Sequence, residues 1–172
     1  MAKTKDEIEG KWLNPEGYVE RIVRSYTIRQ GYIAQDANGT VVRLRQRDDE
    51  YFQTVKGRPL SPGSKPERER QVDQDFFEEF WDFTEGRRVE KVRHIVPILG
   101  QKLLGETMDL TAEIDVFGGR HEGLVMVEVE VPTAEHLTDL RANKPDWFGL
   151  DVTDDMRYGN NWIASNGIPP LG

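Results

Sequence analysis

The stretch Leu124-Val125-Met126-Val127-Glu128-Val129-Glu130-Val131 decides the fold. Side chains alternate across a β-strand, so this period of two puts Glu128 and Glu130 on one face and Val127, Val129 and Val131 on the other. The same alternation recurs outward along the chain. Candidate strands are Asp6–Leu13, Ser25–Ala34, Thr40–Arg47, Tyr51–Lys56, Glu67–Val72, Arg87–Val96, Thr107–Phe117 and Leu124–Val131. Asn38-Gly39 predicts a hairpin between the second and third. Asp48-Asp49 predicts a tight turn after the third, and Gly57 to Gly63 an exposed loop.

Helices are few. Asp73 caps one that is predicted to run to about Thr84, with Phe76, Phe77, Phe80 and Trp81 as its apolar stripe and Gly86 as its stop. Thr133 caps a second to about Ala142, burying Leu137 and Leu140. Asn14-Pro15 opens a short one to about Arg24, and another is expected over Asn160–Ser165. No repeat or linker divides the chain, so residues 1–172 read as a single domain.

Composition narrows the function. Asp and Glu number 31 against 23 Lys and Arg, a net charge of −8, which argues against a general binder of nucleic acid or anionic membrane. There is no cysteine, which excludes disulfides and thiolate chemistry. His94, His121 and His136 are scattered without metal-ligand spacing and read as surface or loop residues. No phosphate-binding glycine loop of the GxxxxGK[ST] or GxGxxG type occurs. With no signal segment and no apolar run long enough to span a bilayer, a soluble cytoplasmic protein is the expectation.

The charges are distributed unusually. Glu7 and Glu9, Glu67 and Glu69, Glu113 and Asp115, and Glu128 and Glu130 are acid pairs at i and i+2. Arg43 and Arg45, and Lys91 and Arg93, are basic pairs, Lys11 shares the face of Glu7 and Glu9, and Lys56 that of Thr54. Each pair alone fits the solvated face of an antiparallel sheet. A whole set of like-charged pairs is more specific, because like charges on one face repel unless another strand or a ligand compensates. A closed barrel with a polar lumen would set the rows opposite one another. Carboxylates there suit Mg²⁺ or Mn²⁺, and guanidinium and ammonium groups suit phosphate oxygens. These fourteen residues hold two more acids than bases, so one divalent ion would neutralise them.

Glu7-Ile8-Glu9-Gly10-Lys11 matches the ExExK signature of the CYTH superfamily, the triphosphate tunnel metalloenzymes. The resemblance continues in order through Gln30-Gly31-Tyr32-Ile33, Val42 to Gln46, Tyr51 to Lys56, Glu67-Arg68-Glu69, Glu85 to Arg93, Glu113 to Phe117, Leu124 to Glu130, Trp147-Phe148-Gly149 and Val152 to Asn160. It resembles most the bacterial inorganic triphosphatase type. The resemblance implies an α+β, mainly β fold: an eight-stranded antiparallel closed barrel with a charged lumen and a few outer helices. It implies Mg²⁺- or Mn²⁺-dependent hydrolysis of a small triphosphate such as tripolyphosphate.

By the same resemblance Glu7, Glu9, Glu128 and Glu130 hold the metal; Glu7, Glu9 and Lys91 are the expected catalytic residues, with Lys91 assigned to the leaving group on mechanistic grounds. Lys11, Arg43, Arg45, Lys56, Lys91 and Arg93 bind the triphosphate, while Glu67, Glu69, Glu113 and Asp115 are supporting lumen acids. A homodimer is one option it leaves open. Class IV adenylyl cyclase, thiamine triphosphatase and a non-catalytic polyphosphate- or nucleotide-binding module are the alternatives. Two positions depart from the pattern. Gly10 replaces an arginine but should face outward with little consequence, and Lys65 replaces an arginine near the fifth strand and loses its bidentate fork.

Overall fold

Nine antiparallel strands form one sheet in the computed structural model, which describes residues 7–57 and 66–171. They are β1 (Ile8–Leu13), β2 (Arg24–Gln35), β3 (Val41–Arg47), β4 (Glu50–Lys56), β5 (Glu67–Val72), β6 (Arg88–Leu103), β7 (Glu106–Phe117), β8 (Val125–Val131) and β9 (Leu150–Asp151). The helices are α1 (Gln74–Trp81), α2 (Ala134–Ala142) and α3 (Asn160–Asn166). Most of the loop from Gly57 to Gly63 lies outside the described residues, as do Asp6 and Lys65.

The strand order is β5-β4-β3-β2-β6-β7-β8-β1-β9, so the eight strands expected from the sequence are joined by a ninth. Among the described residues no hydrogen-bonded pair links β5 back to β1 or β9. The sheet is nevertheless strongly curled. Lys56 on β4 and Glu7 just before β1 belong to strands six places apart in the order, which a flat sheet would separate by about 29 Å at ~4.8 Å per strand. Their charged groups are 4.0 Å apart.

Register settles which side chains share a face. Glu9 stands opposite Glu130 and Lys11 opposite Glu128. Glu113 pairs with Glu128, and Arg93 with Asp115. On the other half Gln30 faces Arg45, Arg43 faces Thr54, Thr54 faces Glu69 and Lys56 faces Glu67. The strand-borne charges singled out in the sequence therefore lie on one side of the sheet.

The opposite side supplies the larger core. Trp12, Ile114, Val127 and Val129 are buried there with Leu140 of α2 and with Phe148, whose ring centroid lies 4.6 Å from that of Trp12. Gly10 does face this outer side, but it is buried: a Cβ built there would meet the Trp12 ring at 2.2 Å. Its replacement of an arginine thus has a packing consequence that outward orientation alone did not suggest. A second core closes one end of the charged side, where Leu13, Val89, Phe117 and Met126 meet Ile163 and Ala164 of α3. His121, expected as a surface or loop residue, lies in the turn between β7 and β8 but is 1% exposed and bonds through Nε2 to the Ile163 carbonyl, which helps seat α3.

The caps act as the sequence implies. Asp73 accepts from the Phe76 N–H at 2.7 Å, and Thr133 caps α2 through the His136 N–H; each such cap is worth ~1 kcal/mol. The helix expected from Asn14 to about Arg24 is reduced to a single 3-10 turn at Val19–Arg21. Asn14 at φ 54° and Gly17 at φ 66° stand in left-handed conformations that no α-helix accommodates.

Candidate active site

The charged face divides into an acid-rich half and a base-rich half. On β1, β6, β7 and β8 the charges interlock. Lys11 Nζ lies 3.1 Å from Glu9 and 3.2 Å from Glu128. Arg93 donates to Asp115 at 2.7 and 2.8 Å, to Glu128 at 3.0 Å, and also to Glu113. Lys91 donates to Asp115 at 2.5 Å and to Asn160 Oδ1 at 2.9 Å. Asp115 is fully buried, and Lys91 is 4% exposed beneath α3.

Burial and charge set the protonation states. Burial works against the charge of Lys11, yet Glu128 and Glu9 on either side lift its ammonium above the usual lysine range. Burial likewise disfavours the Glu128 carboxylate, but Lys11, Arg93 and Lys91 hold it well below the usual carboxylate range. Burial pushes Lys91 down to about 8, with Asp115 opposing the shift. Burial and the charge of Glu128 push Glu9 up, and burial does the same for Glu113.

The base-rich half is less compensated. Arg43 donates to Thr54 at 3.1 Å and to Glu69 at 3.3 Å, and its buried Nε has no hydrogen-bond partner. Lys56 pairs with Glu67 at 3.1 Å. Arg45 donates from Nε to Gln30 at 2.9 Å and has no carboxylate at ion-pair distance among the described residues. Burial, with Arg43 and Arg93 nearby, pushes Arg45 down to about 10. Unmatched guanidinium donors in a half-buried cluster of like charge call for an anion.

The expected residues are thus brought together to different degrees. Lys11, Arg93, Glu9, Glu113, Asp115 and Glu128 form one network continuous with Lys91. Arg43, Glu69, Lys56 and Glu67 form a second group that reaches Glu7. Glu7 and Glu130 are exposed, and among the described residues no three His, Asp or Glu side chains stand at metal-ligand spacing. The acids nonetheless suit a hard cation, because Glu9 and Glu128 already share one, the Lys11 ammonium.

Two contributors lacked an assigned role in the sequence. Gln30 is 1% exposed and donates from Nε2 to the Tyr32 hydroxyl at 2.7 Å while accepting from Arg45. A polar residue at the inward parity of β2 was the available signal. Asn160, the first residue of α3, meets Lys91 through tertiary packing that no local pattern announces.

No protein-family model matches the chain. It is 37% identical over 163 residues to an inorganic triphosphatase of Nitrosomonas europaea, covering 92% of this chain and 96% of that protein. An inorganic triphosphatase of Acetivibrio thermocellus is 33% identical over 162 residues, covering 93% and 94%. A crystal structure of an inorganic triphosphatase superposes with a TM-score of 0.67 at 36% identity, covering 95% of this chain and all of that one. At 17% identity and a TM-score of 0.51, a candidate adenylyl cyclase from Hippeastrum with a dominant triphosphatase activity shares the fold over 80% of this chain and 85% of that one. With the ordered charge pairs on one face and relatives this similar over nearly their whole length, the chain belongs to the CYTH superfamily, in the group of the bacterial inorganic triphosphatases.

Proposed function

We propose that this chain hydrolyses inorganic tripolyphosphate, or a similarly small triphosphate, to diphosphate and phosphate with the help of Mg²⁺ or Mn²⁺. The observation that carries the reading is the unmatched donor capacity of Arg43 and Arg45 on the charged face. The curled sheet closes around the substrate as a tunnel, and α3 seals one end. Arg43, Arg45 and Arg93 fix the phosphates and stabilise charge developing on the transferred oxygens, with Lys11 and Lys56 adding point charges.

Glu9, Glu128, Glu130 and Glu7 are the oxygen donors for the divalent ion, which when bound supplies charge neutralisation and a more acidic attacking water. Two of the three N–H donors of Lys91 are taken by Asp115 and Asn160, which leaves one for the departing diphosphate oxygen. Water attacks the terminal phosphorus, the bridging P–O bond breaks, and the leaving oxygen is stabilised as diphosphate departs. Glu67, Glu69, Glu113 and Asp115 hold the basic side chains in place. Such a reaction suits a cytoplasmic enzyme, and among the described residues no helix is long and apolar enough to cross a membrane.

The test is a panel of tripolyphosphate, ATP and thiamine triphosphate, each with Mg²⁺, Mn²⁺ or EDTA. Fastest orthophosphate release from tripolyphosphate, lost in EDTA, is the expected result. Cyclic AMP and diphosphate from ATP would favour the cyclase reading, and tight binding without turnover under every metal would overturn hydrolysis altogether.

A further inference from the structure

Of the six basic side chains that the sequence singles out on the charged face, five have carboxylate anchors. Lys11 has Glu9 and Glu128, Arg43 has Glu69, Lys56 has Glu67, Lys91 has Asp115, and Arg93 has Asp115, Glu113 and Glu128. Arg45 differs. Among the described residues its side chain is anchored by the neutral amide oxygen of Gln30, at 2.9 Å.

The amide is itself fixed. Gln30 is 1% exposed, its Nε2 donates to the Tyr32 hydroxyl at 2.7 Å, and Tyr32 is 4% exposed. An arginine Nε can only donate, so the oxygen of Gln30 must face Arg45 and the amide cannot turn round. A guanidinium tethered through Nε keeps its terminal Nη1 and Nη2 pair free, the fork that fits two oxygens of one phosphate. A carboxylate at the same place would hold the arginine as firmly and cancel the charge that the substrate needs.

We propose that Gln30 is the positioning residue of the phosphate site, aiming Arg45 through a neutral amide so that its whole charge and terminal fork are left for a substrate phosphate. This rests on the triphosphate reading above. The position of Arg45 between Arg43 and Arg93, whose charges together with burial push it down to about 10, agrees with an anion being the missing counter-charge.

The experiment compares the wild type with Gln30→Glu and Arg45→Met in three measurements: steady-state tripolyphosphate hydrolysis, metal-free tripolyphosphate binding, and thermal midpoint. Gln30→Glu keeps the shape and the hydrogen bond to Arg45 but adds a competing negative charge. It is expected to retain or raise Tm, keep kcat within about twofold, and raise KM and weaken metal-free binding about tenfold. A merely structural role for Gln30 would not raise KM without lowering Tm.

A folded Gln30→Glu protein with wild-type KM, alongside an Arg45→Met protein whose KM rises, would overturn the role of Gln30. If Arg45→Met also left KM and binding unchanged, the substrate reading of the charged face would fail instead. Should Gln30→Glu not fold, Gln30→Asn draws the amide back by one methylene. It is then expected to raise KM, and an unchanged KM would overturn the proposal.

Discussion

Asp115→Asn is the substitution whose consequence the structure fixes most closely. Asp115 is fully buried and accepts from Lys91 at 2.5 Å and from Arg93 at 2.7 and 2.8 Å. Asparagine keeps the shape but removes the charge that both cations face. Lys91, already pushed down to about 8, escapes by releasing its proton. At pH 7, below its folded value, that costs on the order of 1 kcal/mol relative to the wild type.

Arg93 keeps Glu113 and Glu128 but loses a two-pronged charge-assisted interaction, worth roughly 1.5–3 kcal/mol. The sum is about 3–4 kcal/mol, inside the range for breaking a buried pair. For a chain of this length that lowers Tm by roughly 6–16 °C.

The pH dependence supplies a sharper check. In the folded variant Lys91 is neutral at pH 7, whereas the unfolded chain keeps that proton to about pH 10.5. The unfolded state therefore binds more protons, and raising the pH stabilises the variant by up to about 1.4 kcal/mol per unit. In the wild type the same gain begins only above the folded value of about 8. The deficit of the variant should thus narrow by about 1 kcal/mol between pH 7 and pH 8. Urea unfolding in EDTA at a series of pH values measures it. A deficit under about 1 kcal/mol at pH 7, or one that widens as pH rises, would refute this account of the cluster.

Glu9→Gln should stay folded, because Glu9 is partly exposed, yet lose activation by Mg²⁺ by about a hundredfold, read from phosphate release against metal concentration. Wild-type activation would remove Glu9 from the metal ligands. Gly10→Ala should destabilise the protein by about 1–3 kcal/mol through the clash with Trp12, with kcat largely kept, and an unchanged urea midpoint would contradict the packing described for β1. Because burial and Glu128 push the Glu9 carboxyl up, falling pH should protonate it before an ordinary glutamate, and the metal activation constant should rise accordingly. A constant flat down to the ordinary carboxylate range would contradict that.

Much of the fold was legible because alternation survives wherever one face of a strand is charged and the other apolar. Glu128 and Glu130 against Val127 and Val129 is the plainest case, and its register partners Glu9 and Lys11 follow the same parity. Three features escaped. β9 has only two residues, too few for any period to show. β6 runs on to Leu103, seven residues past the Val96 at which the sequence reading ends it, through Pro97 and Gly100 in the β6–β7 hairpin. There Pro97 pairs with Thr111, and a bulge between Ile98 and Gln101 absorbs Gly100 at φ 67°.

The third feature is the pairing within the site. Charge type and parity place Arg45 and Lys91 on the right face. Which of them receives a carboxylate, an amide or an α3 side chain depends on how far the sheet curls, and local sequence does not encode that.

The most direct test is a crystal structure with Mn²⁺ and a non-hydrolysable tripolyphosphate analogue, using anomalous scattering to locate the metal. The phosphates are expected on Arg43, Arg45 and Arg93, and the manganese peak among Glu7, Glu9, Glu128 and Glu130. Phosphates bound on the outer face around α2, or manganese seated away from these carboxylates, would contradict that expectation.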